Sequence, residues 1–492
     1  MSARSRELLG LLPVTLLVTA GFTAVLITRS ATVDTVTLTY GAFFLGCCLF
    51  AHLFIRARLP DADPYMFPLA ALLAAFGLVM IYRIDEELAR EQAQWFVVGL
   101  LLFCATVVFL RDHRVLERYR YLIAIGGIAL LVMPRVPGVG GQVNGAYLVV
   151  DIGPLAFQPA EFAKLAIIVF LASYLTDNRE ALLRGRLSPP PLRQSIPLFG
   201  AALALGAVLI LVLDYAVWPS LLIAAFAGVL IGLVRERPSL KHFGPLLLVW
   251  GLAMVMLVVI RDLGSSLMFF GGFLALLYVA TSRLSFIAFG VVIFLGGATF
   301  MGRTVGHVKE RFDTWLDPFA PAVEDSGYQI RQSLFAQADG GLFGQGFGQS
   351  LIQLPGCARE DLADFPDKCA ILPAPHTDSI YAVIVNEVGL FGAAGVVLVV
   401  LLFAARGFKT AITAGDGFSK LLATGLTAVF ALQVFVIVGG VVKAIPLTGV
   451  TLPFISAGGS SLLANFVLLA LLLSASDLAR RDATRQPSGG LV

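Results

Sequence analysis

About fourteen stretches of this 492-residue chain are apolar over close to the 20 or so residues that a helix needs to cross a bilayer. Their approximate cores are 8–27, 36–55, 65–82, 95–110, 121–133, 157–175, 195–213, 216–234, 243–260, 264–281, 284–301, 378–405, 419–443 and 459–475. Backbone amides in hydrocarbon must be satisfied within the spanning segment, so these runs read as helices. Composition agrees: 58% of residues are hydrophobic and 14% charged, where a soluble domain carries about 25% charged. The fold class is therefore an all-α polytopic membrane protein. The short run at 121–133 and the near-continuous block at 243–301 would look the same if broken or re-entrant. The first run leads directly into a second, so it reads as a helix and not as a cleaved signal peptide.

A net charge of +3 with no basic cluster gives no reason for a nucleic-acid partner. Lys and Arg sort by side instead. With the N-terminus (Arg4, Arg6) cytoplasmic, alternate loops hold Arg56 and Arg58; Arg111, Arg114, Arg118 and Arg120; Arg179, Arg184, Arg186 and Arg193; Arg235, Arg237 and Lys241; Arg406, Lys409 and Lys420; and Arg480 with Arg481. The opposite loops are poorer in basic residues, so both termini are expected in the cytoplasm.

That topology puts two polar segments outside, 134–156 and 302–377. The longer one holds Trp315, Tyr328 and "GGLFGQGFGQS", whose glycines permit tight turns and close approach to a ligand. A glycine-rich string alone is weak evidence for phosphate binding, and a folded cap without chemistry would serve as well. Cys47, Cys48 and Cys104 lie in apolar runs and read as core packing. Cys357 and Cys369 flank an acidic insert in the exterior loop, where a disulfide and two free thiols both fit. No spacing resembles a zinc site.

Charges within the apolar runs are the next signal, since each is costly in a bilayer. In "FQPAEFAKLAIIVF", Gln158, Glu161 and Lys164 recur at spacing three on one broad helix face, and Glu161 can pair with Lys164. Asp262 in "IRDLGSSL" is placed to cap the following helix, and Asp214 sits in a tight turn. In "PAPHTDSIYAVIVNEVGLFG", His376, Thr377 and Asp378 stand at the lip of an apolar run, and Asn386 and Glu387 lie inside it. Asp378 can be a helix cap or a carboxylate presented at the outer leaflet. Glu387, nine residues on, faces away from it, so helical geometry gives no support to paired carboxylates.

The segments "FQPAEFAK", "RDLGSSL", "HVKERFDTWLDPF", "GYQIRQSLFAQADGGLFGQGFG", "HTDSIYAVIVNEVGLFG" and "IPLTGVTLPFISAGGSSLLAN" follow the order found in the SEDS family, whose members include RodA, FtsW and SpoVE. The chain resembles its RodA-type, actinobacterial branch most, over roughly residues 65–478. The resemblance implies ten core helices. Residues 1–64 then form an extra N-terminal pair, 195–234 an inserted pair, 302–377 the large extracytoplasmic loop and 479–492 a cytoplasmic tail. It implies a peptidoglycan glycosyltransferase that polymerises lipid II at the outer face of the plasma membrane, with Asp378 as the catalytic residue. Four positions depart from the family pattern. Tyr147 and Leu148 replace an Arg-Trp, Gln345 stands where a Lys often follows the glycines, and Asn386 takes the place of a first Glu.

Glycosyl transfer from a lipid pyrophosphate needs one base to take a proton from the attacking hydroxyl. The leaving pyrophosphate is already an anion, so the acid carboxyl of glycosidases is not required. Its developing charge calls for cations, and Arg311 is the first candidate, followed by Lys164, Lys309 and Arg303. Glu161, Gln158, His376, Glu387, Gln329, Gly341 and Ser460 complete the expected substrate-binding set. No cofactor is indicated, although a divalent Mg or Mn ion is compatible with the pyrophosphate. The Pro/Gly-rich "KAIPLTGVTLPFISAGGSS" reads as a cavity wall or an exterior hairpin. No Ser-x-x-Lys motif stands in an exterior domain, so crosslinking is assigned to a partner, by resemblance a class B penicillin-binding protein. A lipid II flippase and a non-catalytic scaffold remain as alternatives. Asp378→Asn need not abolish the first, and the second would tolerate changes at Asp378 while failing on helix-surface substitutions.

Overall fold

The computed structural model of the chain describes residues 2–29, 36–136, 139–143, 146–152, 155–183, 262–304, 306–350, 352 and 371–485. The expected runs at 195–213, 216–234 and 243–260 lie outside the described residues, as do Asp214, Cys357 and Cys369.

The helices, in chain order, are α1 (Ala3–Arg29), α2 (Val36–Arg58), α3 (Met66–Ile84), α4 (Glu86–Phe109), the single turn α5 (Val115–Arg118) and α6 (Arg120–Val132). They continue with α7 (Ala160–Leu183), α8 (Leu263–Thr281), α9 (Leu284–Thr304), α10 (Gly306–Leu316), α11 (Tyr328–Gly340), α12 (Ile380–Thr413), α13 (Gly417–Val441) and α14 (Gly459–Arg485). Among the described residues, eight of these are long and apolar enough to cross a membrane: α1 to α4, α8 and α12 to α14. The chain is a multi-pass, mainly helical membrane protein. At 13 residues α6 is too short to span alone, since it rises only about 20 Å.

Caps fix where several helices begin. Asp85 accepts from the amides of Glu87 (2.7 Å) and Leu88 (3.2 Å), with Glu86 and Glu87 in the first turn of α4 against the helix dipole. Asp262 accepts from Ser265 N at 2.9 Å, the expected cap of α8. Asp416 does the same for α13 through Ser419 N at 2.8 Å.

Helices α1 and α2 are integral to the bundle, because α1 packs along α2 and α3. Cys48 is buried there, and Cys47 and Cys104 are half-buried free thiols against the core. Asp63, in the loop after α2, binds the guanidinium of Arg406 on α12 (Nε to Oδ2 2.9 Å) and that of Arg480 on α14.

The polar segment expected at 134–156 is not helical. Its strands β1 (Gly140–Val143), β2 (Ala146–Ile152) and β3 (Leu155–Phe157) pair antiparallel in that order, decorating an otherwise helical protein. Tyr147, at a position where the resemblance leads one to expect a cation, instead receives one: the Arg135 guanidinium lies 4.1 Å from its ring centroid.

Helix α12 is 34 residues long and breaks at Gly389, whose φ of 70° is accessible to glycine and strained for other residues. The glycine-rich loop after α11 closes the gap. Gln345 N donates to Asn386 O (2.8 Å) and Gly346 N to Glu387 O (3.0 Å), while Leu390 N and Phe391 N donate to the carbonyls of Gly341 (3.0 Å) and Leu342 (3.2 Å). A helix can break in lipid only where protein satisfies the freed groups, and the loop does so here.

Candidate active site

Several of the residues expected at the site converge on the irregular stretch 442–458, between α13 and α14. From its start, Leu447 O accepts from Arg311 Nη1 at 2.6 Å. Gly449 (φ 73°) is so close to the next group that a Cβ there would lie 3.6 Å from Asp378 Oδ2. Thr451 O accepts from Gln433 Nε2 at 2.9 Å, and Gln433 Oε1 in turn accepts from Lys164 Nζ at 2.6 Å. Ser456 Oγ donates to Thr377 O at 2.9 Å, and Ala457 N donates to His376 O at 2.9 Å. Val450, Leu452, Phe454 and Ile455 are buried, so the stretch is a packed wall and not a loose hairpin.

Asp378 precedes α12 without capping it. The cap position is Ser379, which makes no side-chain cap bond, and among the described residues no donor reaches the Asp378 carboxylate. Burial pushes its pKa up to about 6, against the opposing pull of the Arg311 charge. At pH 7 such a group is roughly 90% ionised and still a stronger base than a solvated Asp. Burial also holds His376 below the ordinary imidazole range, with the Asp85 charge pulling the other way. Asp262 completes the polar cluster. Its carboxyl is raised mainly by burial, and the charges of both Arg311 and Glu161 act on it.

Lys164 and Glu161 pair as expected, at 2.5 Å, and both are buried. Gln158 N donates to Ser460 Oγ at 2.9 Å, joining the start of α7 to α14. Gln329 Nε2 donates to Ser379 Oγ at 3.1 Å, beside Asp378.

Other candidates sit elsewhere. Glu387 lies nine residues along α12, about 13 Å of helix rise from Asp378, and accepts from Arg83 Nε (2.7 Å) and Ser350 Oγ (2.6 Å). Gly341 gives its carbonyl to the α12 break. Lys309 and Arg303 have exposed side chains on α10 and the end of α9. Among the described residues no group of three or more His, Cys, Asp or Glu converges.

Sequence reasoning missed Gln433, Thr451 and Ser456, whose signal is a polar side chain inside an apolar or Pro/Gly-rich run. It also missed Gln92, which donates from Nε2 to Ser456 O (3.3 Å) and accepts from Gly458 N (3.2 Å).

The family model described as the FtsW, RodA and SpoVE cell cycle protein matches residues 64–234 and 219–481. The chain is 36% identical over 459 residues to the peptidoglycan glycosyltransferase RodA of Mycobacterium tuberculosis strain H37Rv, covering 91% of this chain and 85% of that one. To stage V sporulation protein E of Bacillus subtilis it is 28% identical over 418 residues, covering 83% and 95%. Its fold matches a chain solved in a peptidoglycan synthase complex that coordinates polymerization and crosslinking, with a TM-score of 0.57 and 24% identity over 86% of this chain and 99% of that one.

Proposed function

The chain belongs to the FtsW/RodA/SpoVE family, and from that premise we propose that it is a peptidoglycan glycosyltransferase that polymerises lipid II with Asp378 as general base. The observation that carries the assignment is a carboxylate with no donor among the described residues, raised to about 6 by burial and facing the Arg311 charge. A structural carboxylate would be capped or paired, as Asp63, Asp85 and Asp262 are.

Asp378 accepts the proton of the attacking sugar hydroxyl as that oxygen bonds the anomeric carbon and the bond to the polyprenyl pyrophosphate breaks. Arg311, held by Leu447 O, stabilises the pyrophosphate as it leaves. Lys164 has a different part. With Glu161 and Gln433 already as partners, it sets the wall carrying Thr451 and supplies little net charge. The loops rich in Arg and Lys support cytoplasmic termini and an extracytoplasmic Asp378. The Asp63–Arg406–Arg480 cluster then lies on the cytoplasmic side. Crosslinking falls to a partner transpeptidase of the class B penicillin-binding type, in line with the absence of a Ser-x-x-Lys domain.

The test is purified protein with lipid II, alone and with its candidate penicillin-binding partner, read as glycan ladders and released polyprenyl pyrophosphate. Wild type is expected to yield both and folded Asp378→Ala neither. Ladders from both would make Asp378 structural, and ladders from neither would favour translocation or scaffolding.

A further inference from the structure

Between α11, α12 and the glycine-rich loop lies a cavity of about 410 Å³ that the reaction above does not use. Its polar lining is Gln332, Gln345, Gln349, Ser350 and Asn386, with Phe335 as an aromatic wall. Two of these, Gln345 and Asn386, adjoin through a hydrogen bond from Gln345 N to Asn386 O at 2.8 Å.

The helices that wall the cavity also lead back to Asp378. Gln329, bonded to Ser379 beside Asp378, is followed three residues on by Gln332. Ser379 is followed by Val383 and Asn386 at four and seven residues, both on the cavity wall. These spacings keep to one face of each helix. Asn386 Nδ2 donates to Ala336 O at 2.7 Å, so α11 and α12 stay in contact along that face. Asn386 lies about 10 Å of helix rise from Ser379, a separation on the scale of a disaccharide.

The lining also says what fits. Asp339 adds a carboxylate at the rim, which disfavours phosphate and carboxylate ligands. Carboxamides both donate and accept, as sugar hydroxyl and acetamido groups require. Asn386, 6% exposed, keeps its Oδ1 without a partner among the described residues. A few hundred cubic ångströms, one aromatic wall and a few polar groups describe a small-ligand site.

We propose that this cavity binds the uncharged N-acetylated sugar rings of the glycan strand adjoining the reacting one. The proposal rests on the polymerase reading of Asp378, and it assigns Gln332, Gln349 and Asn386 to holding the strand between additions.

The test is binding of an uncharged, lipid-free N-acetylglucosamine tetramer to the full-length protein in nanodiscs, followed by ligand-observed NMR. Gln332→Leu/Gln349→Leu is expected to weaken binding at least tenfold, and Val383→Trp, which fills the cavity, to abolish it. Both variants should shorten ladder products several-fold. Absence of tetramer binding to wild type, or binding indifferent to both variants, overturns the proposal. Because the binding assay needs no turnover, a protein that makes no polymer but binds the tetramer through Gln332 would sink the polymerase reading alone, and ladders with indifferent binding would sink the cavity alone.

Discussion

Ser456 donates its hydroxyl to the carbonyl of Thr377 at 2.9 Å, tying the wall between the last two helices to the residue before Asp378. The same oxygen accepts from Leu452 N at 2.8 Å, so one side chain holds both the wall and the lip that carries Asp378. Ser456→Ala should cost about 1 kcal/mol of stability and lower the polymerisation rate about tenfold through misplacement of Asp378. Thermal unfolding beside ladder kinetics checks both, and a stability loss with an unchanged rate would show that the tie serves packing alone.

Asp378 should trade stability for activity. Its folded pKa of about 6 lies above the ordinary Asp value of 3.8, so the folded state binds the proton more tightly than the unfolded chain does. The charged form therefore opposes folding, with the penalty absent below the unfolded pKa and complete above about pH 6. Asp378→Asn should raise stability at pH 7.5 by about 1–3 kcal/mol, shifting Tm upward, while lowering the rate at least about 10²-fold. A fall in Tm would mean that the carboxylate is a structural partner.

Lys164→Met should destabilise by about 3 kcal/mol, because it leaves Glu161 buried and unpaired. The double variant Lys164→Met/Glu161→Gln should recover most of that loss. A double-mutant cycle measures the coupling, and additive losses would contradict a buried pair. Activity restored together with stability would confirm a positioning role for Lys164, whereas persistent inactivity would place its charge on the pyrophosphate.

The break in α12 gives a separate prediction. Gly389→Ala puts a Cβ where Gly344 N and Leu342 O both lie 2.4 Å away, at a φ that opposes it. It should destabilise by more than about 2 kcal/mol. Glu387→Gln should weaken the Arg83 anchor with a moderate stability loss and retained polymerisation. Loss of all turnover in a folded Glu387→Gln protein would return Glu387 to the catalytic machinery.

These residues show how far the sequence reached. Apolar length located the described spans, and the isolated polar groups in "FQPAEFAK" and "HTDSIYAVIVNEVGLFG" marked Lys164, Glu161 and Asp378. Gly389 is followed in the same helical run by Gly392 and Gly395, so nothing local singles out the α12 break or the loop that closes it. Arg83 is 304 residues from Glu387, a separation that no spacing rule crosses. The strands at 140–157 are too short and glycine-rich for a clear alternating pattern. The glycines of "GGLFGQGFGQS" suggested a ligand loop, and nothing in the string itself shows that their conformational freedom also lets backbone amides reach the α12 carbonyls.

The most direct measurement is the pH dependence of glycan polymerisation by the full-length protein with its partner, taken between pH 4.5 and 8 on wild type and on Asp378→Glu. A base with a pKa of about 6 predicts a plateau above pH 7 and a rate falling tenfold per pH unit below about 6, with the inflection displaced in the Glu variant. A profile flat from pH 5 to 8, or an inflection that Asp378→Glu leaves in place, would contradict Asp378 as the base.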